Sequence, residues 1–157
     1  MLGFLTVLQY LTLAFWVGGM AGFLLIFSPV TFQQLPSRSM AGGITGAVLP
    51  KLDAIGLVSS GIMLVVTIAQ GIEGGFRGID LIRAALVIVM LLLTLLGATT
   101  IRQRLQAIRG RLPAEIDQAD AADPNRKEYG RWHGLSMLVF LGIVVAGAAL
   151  IALSALR

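Results

Sequence analysis

One stretch decides how the rest of this chain can fold. Arg102 to Arg131 is the longest connection between apolar segments, and it holds seven of the twelve Lys and Arg residues. The sequence before it is nearly uncharged and broken only twice; the sequence after it is a single apolar run. With 57% hydrophobic and 13% charged residues, the chain has about half the charge fraction of an ordinary soluble domain. It has too little polar surface to cover its apolar residues in water, and a bilayer supplies the missing solvent.

Four spans follow, at about 2–27, 52–70, 79–101 and 132–156, in one transmembrane domain covering 1–157. Leu2 to Val30 is too long for the apolar region of a signal peptide and has no basic residue ahead of it, so it reads as a retained span. Pro29 and Pro36 close it, and Ser37 can cap what comes next. Ser37 to Leu49 suits a short helix at the interface or leading into the second span, with Pro50 marking a kink or a fresh start. Gly71 to Gly78 has four glycines in eight residues and reads as a tight exposed turn. Beyond the third span, Leu105 and Ile108 alternate with Arg102, Gln103, Gln106 and Arg109 at helical spacing, so the helix continues into water until Pro113 ends it. Ala114 to Asp123 is an acidic loop, Asp123-Pro124 starts the fourth helix, and Trp132 suits the membrane boundary. The fold class is therefore an all-α, integral membrane, antiparallel four-helix bundle.

Four spans put both termini on one side. The first and third connections carry Arg38, Lys51, Arg102, Arg104, Arg109, Arg111, Arg126, Lys127 and Arg131; the other side has only Arg77, Arg83 and Arg157. The excess of positive charge places loops 31–51 and 102–131 in the cytoplasm and both termini outside. The net charge of +4 is thus an orientation signal facing anionic lipid, and no nucleic-acid partner is expected.

Folding this topology brings Asp53, Arg102, His133 and Ser136 to the cytoplasmic end of the bundle. His133 and Ser136 share a helical face with Tyr129, and an ionisable residue in a span is costly unless paired, so Asp53 is expected to face Arg102 or His133. Together they form a candidate functional polar cluster. Arg83, one turn inside the third span, is expected to snorkel to the headgroups. Trp16 sits mid-span and is expected to pack in the core against Gly18 and Gly19 of a neighbour. Small residues at spacing four, namely Gly18 and Gly22, Gly56 and Ser60, and Gly142 and Ala146, are packing surfaces, since close backbone approach holds helices together in lipid.

Chemistry is sparse. There is no cysteine, hence no disulfide or thiolate site. His133 is the sole histidine, and Met137, one turn along the same helix, is badly placed to bind opposite it, so no haem, metal or other cofactor is expected. No serine elbow, paired carboxylate, zinc motif or phosphate loop occurs, and no catalytic residue is assigned.

Trp16-x-Gly18-Gly19, Pro29-x-x-Phe32, Ala41-Gly42-x-x-x-Gly46-x-x-x-Pro50, the arginines after the third span and His133-Gly134-Leu135-Ser136 carry a resemblance over nearly the whole chain. In that order they resemble the bacterial membrane family (domain of unknown function 4149) whose eukaryotic relatives are called transmembrane protein 205. More distantly, the first span is similar to the membrane domain of copper-resistance D proteins. The first resemblance implies a multi-pass protein of the bacterial inner membrane without an established enzymatic activity, and no enzyme is expected. The leading expectation is a membrane scaffold or assembly partner, surrounded by the lipid bilayer and associating with itself or another membrane protein. The alternatives are a proton-responsive ion or small-solute transport protein built on Asp53, Arg102 and His133, and a haem- or copper-handling membrane protein.

Overall fold

The structure, a computed structural model, describes residues 2–113, 116–118, 120 and 122–155. Four helices account for almost all of them: α1 (Leu2–Gln34), α2 (Arg38–Gly74), α3 (Gly78–Arg109) and α4 (Pro124–Ala155). Each is long and apolar enough to cross a membrane, and no strand occurs among the described residues. A single 3₁₀ turn, Ile116–Gln118, lies in the long connection. The acidic loop expected at 114–123 and the expected end of the fourth span at 156 fall partly outside the described residues. Cyclic packing of α1 on α2, α2 on α3, α3 on α4 and α4 on α1 makes an up-down bundle.

Local sequence sets the helix ends. Ser37 caps α2, its hydroxyl accepting the Met40 N–H at 3.2 Å. Gly75 turns the chain between α2 and α3 with φ +74°, a conformation that side chains with a Cβ rarely adopt. Asp80 closes the start of α3 by accepting the Arg77 N–H at 3.1 Å. Asp123 accepts the Asn125 N–H at 2.7 Å and Pro124 occupies the first helical position of α4.

Two expected breaks are absorbed. Pro29 lies within α1, because the turn before it, Phe23–Phe27, is wide: the Ser28 N–H bonds back to the Phe23 carbonyl. A π turn accommodates the donor that proline lacks and the carbonyl its ring displaces. Pro50 lies inside α2, so 38–49 is the first part of one helix and not a separate element. A second wide turn, Gly97–Ile101, occurs in α3 without proline. There the Thr99 hydroxyl donates to the Leu95 carbonyl at 2.7 Å, competing with the backbone for that acceptor.

The core is a stack of inward residues spaced three and four apart. Leu13, Trp16 and Met20 of α1 meet Met63 of α2, Val87 and Met90 of α3, and Ile143 and Leu150 of α4. Between helices, close approach occurs at buried glycines. A Cβ at Gly147 would lie 2.3 Å from Val17 Cγ2, and one at Gly56 would lie 2.9 Å from Trp16 Nε1 and 3.1 Å from Thr94 Cγ2. Trp16 therefore packs over Gly56, and not against Gly18 and Gly19 as the sequence suggests. The outer surface carries Phe4, Phe15, Val65 and Leu138 in the open, the apolar girdle that lipid requires.

Candidate functional site

The two ends of the bundle hold different polar arrangements. At the loop end, Asp53 on α2 and Arg102 on α3 form an ion pair, the carboxylate nearly buried and the guanidinium partly so. Arg102 reaches this position immediately after the wide turn 97–101, whose extra residue rotates everything beyond it. His133 and Ser136 do not join them. His133 is exposed on α4 with its ring stacked on Tyr129, centroids 6.2 Å apart and planes 4° from parallel, and Ser136 is half-buried. About two turns further along α3, the Arg109 guanidinium donates to the Ser39 hydroxyl at 3.1 Å, tying the start of α2 to the end of α3.

At the termini end lies a polar node drawn from all four helices. Arg83 and Asp80 are each 1% exposed and form an ion pair at 3.2 Å. The guanidinium also donates to Gln9 Oε1 at 2.6 Å and to Gln70 Oε1 at 3.1 Å, while Gln70 Nε2 donates to Gln9 Oε1 at 3.1 Å. Gln9 Nε2 in turn bonds the Ser154 hydroxyl, which donates to the Leu150 carbonyl at 2.7 Å. Arg83 thus corrects the sequence reading: it does not snorkel outward. The inward seam of α3, running Asp80, Arg83, Val87, Met90, Thr94, points the guanidinium at acceptors from α1 and α2. Paired in this way, a charge that lipid would reject becomes tolerable.

The node had a legible signal. Gln9, Gln70 and Arg83 interrupt otherwise apolar runs with an amide or a charge, and antiparallel folding sets them at one height with Ser154. Treating Arg83 as an isolated cation near a helix end hid that coincidence.

The two polar layers bracket the apolar slab. Asp53 and Gln70 are 17 residues apart on α2, and Arg83 and Arg102 are 19 apart on α3. At 1.5 Å per residue these separations are about 26 and about 28 Å, close to the thickness of a bilayer's hydrocarbon core. No charged side chain of any helix lies between them. Within the slab two buried polar atoms, Trp16 Nε1 and Thr67 Oγ1, have no hydrogen-bond partner among the described residues. No group of three His, Asp or Glu side chains is placed to hold a metal among the described residues.

Residues 11–111, more than half of the chain, match the family described as a domain of unknown function (DUF4149). The chain belongs to the DUF4149 family. No curated protein and no solved structure matches it. The DUF4149 match takes in Asp53, Gln70, Asp80, Arg83 and Arg102, so both ion pairs lie inside it. Gln9 and all of α4, with His133, Ser136 and Ser154, lie outside it.

Proposed function

We propose that this DUF4149 protein is a non-enzymatic assembly protein of the bacterial inner membrane that works by associating laterally with a second copy of itself. The observation that carries the reading is the outward face of α1. A Cβ at Gly18 or Gly22 would meet nothing within 4 Å, so these glycines serve no packing inside the chain. Two glycines at spacing four on a lipid-facing surface allow a neighbouring backbone to approach closely, where dispersion and weak backbone contacts drive association. Beside this stripe, Phe15 stands out from an apolar groove formed with Ala54, Ile55, Val58 and Ser59. A ridge next to a groove suits a two-fold, self-complementary contact.

The charge distribution supports an orientation with the loop end in the cytoplasm and both termini outside. A transport reading would require a route between the two polar layers, and there Leu13, Met63, Val87 and Met90 fill the bundle axis.

The test is association measured in liposomes by energy transfer between singly labelled copies. The double substitution Gly18→Ile and Gly22→Ile is expected to abolish transfer, while Val65→Ile, on the exposed face of α2, leaves it unchanged. Transfer that survives the double substitution refutes the reading.

A further inference from the structure

Beneath the node, at the termini end, a cleft of about 470 Å³ opens to the outside. We propose that it is a binding site for a carboxylate bearing an apolar tail. The argument begins with which half of the buried ion pair the cleft sees. Arg83 lines it, together with Arg77 at the rim, whereas neither of the acidic residues at this end, Asp80 and Glu73, is among its lining groups. Asp80 thus neutralises Arg83 from behind while the surface presented to an incoming molecule is cationic.

The floor is rich in N–H and O–H groups as well as charge. Gln9, Gln70 and Ser154 line the cleft beside the guanidinium and are held there by their mutual bonds, so the site is preorganised. The guanidinium is already bonded to Asp80, Gln9 and Gln70, so what it offers an anion is its charge, beside the second N–H of each amide, a setting that suits a carboxylate. Leu2, the ring of Tyr10 and Ala155 add apolar surface to the same lining. A site that combines a few polar groups with apolar surface selects a ligand built the same way. Because the cleft lies at the polar layer that marks the edge of the hydrocarbon slab, such a ligand can arrive from two sources. It can be a free short-chain carboxylate in water or a fatty acid from the adjoining leaflet. A buried arginine in a span is otherwise an expensive feature, and recognition of an anion gives it a use beyond packing.

The full chain, reconstituted in nanodiscs of zwitterionic phosphatidylcholine, is titrated with butanoate and separately with oleate, each carrying ¹³C at the carboxyl carbon. The resonance is followed by NMR. Saturable binding of butanoate identifies a free carboxylate as ligand, and binding of oleate alone identifies the leaflet as source. Two variants separate recognition from folding. Arg77→Gln removes a rim charge from an exposed position and is expected to weaken binding by about tenfold, the equivalent of about 1.4 kcal/mol. Gln70→Glu keeps an acceptor for Arg83 and the same shape, yet adds a negative charge to the floor; binding is expected to fall by at least about a hundredfold, with the helical circular dichroism unchanged. Absence of saturable binding for both probes overturns the proposal. So does binding that neither variant alters.

Discussion

Arg83→Met isolates what the node contributes to stability. Methionine keeps most of the buried stem but removes three hydrogen bonds, to Asp80 at 3.2 Å, Gln9 at 2.6 Å and Gln70 at 3.1 Å. Asp80 stays 1% exposed, retaining the Arg77 N–H but losing its compensating charge. Removing one partner of a buried pair costs about 3–5 kcal/mol, because the desolvated charge that remains has nothing to offset it. The node lies close to the helix ends, where water can relieve part of this penalty, so the lower end, about 3 kcal/mol, is expected. The control is the double variant Asp80→Asn, Arg83→Met. With the carboxylate neutralised, the remaining loss is that of hydrogen bonds to neutral amides, about 1 kcal/mol. The double variant should therefore be more stable than the single by about 2 kcal/mol, although it carries one more substitution. The measurement is reversible unfolding in mixed micelles titrated with dodecyl sulfate, followed by the fluorescence of Trp16 and Trp132. If Arg83→Met lies within about 1 kcal/mol of the parent, or if the double variant is no better than the single, the charge accounting is wrong.

Two further outcomes are expected in the same titration. Gly147→Ala, whose Cβ would sit 2.3 Å from Val17 Cγ2 and 3.2 Å from Met90 Cε, should lose about 1–3 kcal/mol by overpacking, whereas Gly61→Ala, facing open space on α2, should be neutral or gain up to about 1 kcal/mol in helix propensity; equal effects would refute the packing described for α4. Asp53→Arg and Arg102→Asp should each destabilise by about 2 kcal/mol and the exchanged pair should recover at least half of that, while strict additivity would show that the two residues do not interact.

The architecture was legible because lipid imposes a simple rule: every charged residue must lie at an end or be paired. Applied to Asp53, that rule leaves Arg102 and His133 as alternative partners, and the structure pairs it with Arg102. Applied to Arg83 it gave the wrong direction. Snorkelling and inward pairing satisfy the rule equally, and the sequence position alone does not say which face of α3 turns inward. The decision comes from the seam through Val87, Met90 and Thr94, with which Arg83 is in register. His133 illustrates the converse: three residues from Ser136 and one turn from Tyr129, it shares their stripe, but those two are half-buried, with Tyr129 packed on Ile108 and Leu112, while His133 stays exposed with its ring stacked on Tyr129. The helix lengths were hidden for a different reason. Proline is a break by local propensity, and only packing against a neighbour reveals that a wide turn at 23–27 or a continuing helix at Pro50 is the lower-energy solution.

The two polar layers also explain why the molecule is lopsided. The helices are 32–37 residues long, about 48–55 Å, yet the slab between the layers accounts for only about 26–28 Å of each. At the termini end little is left over: Gln70 lies four residues from the end of α2 and Arg83 five from the start of α3. Almost all of the excess therefore projects beyond Asp53 and Arg102. It comprises the end of α1 after Pro29, the first fifteen residues of α2 ahead of Asp53, the end of α3 and the start of α4. Tilting cannot absorb it, because fitting about 50 Å of helix into a 30 Å slab would need an inclination well beyond the usual 20°. The projecting part is also where the basic residues gather, and Arg109 clamps it to Ser39. One end is thus closed at the membrane boundary by a hydrogen-bonded node. The other carries a cationic helical extension into water, and the ion pair of Asp53 and Arg102 is the hinge line between the part that lipid holds and the part that it does not.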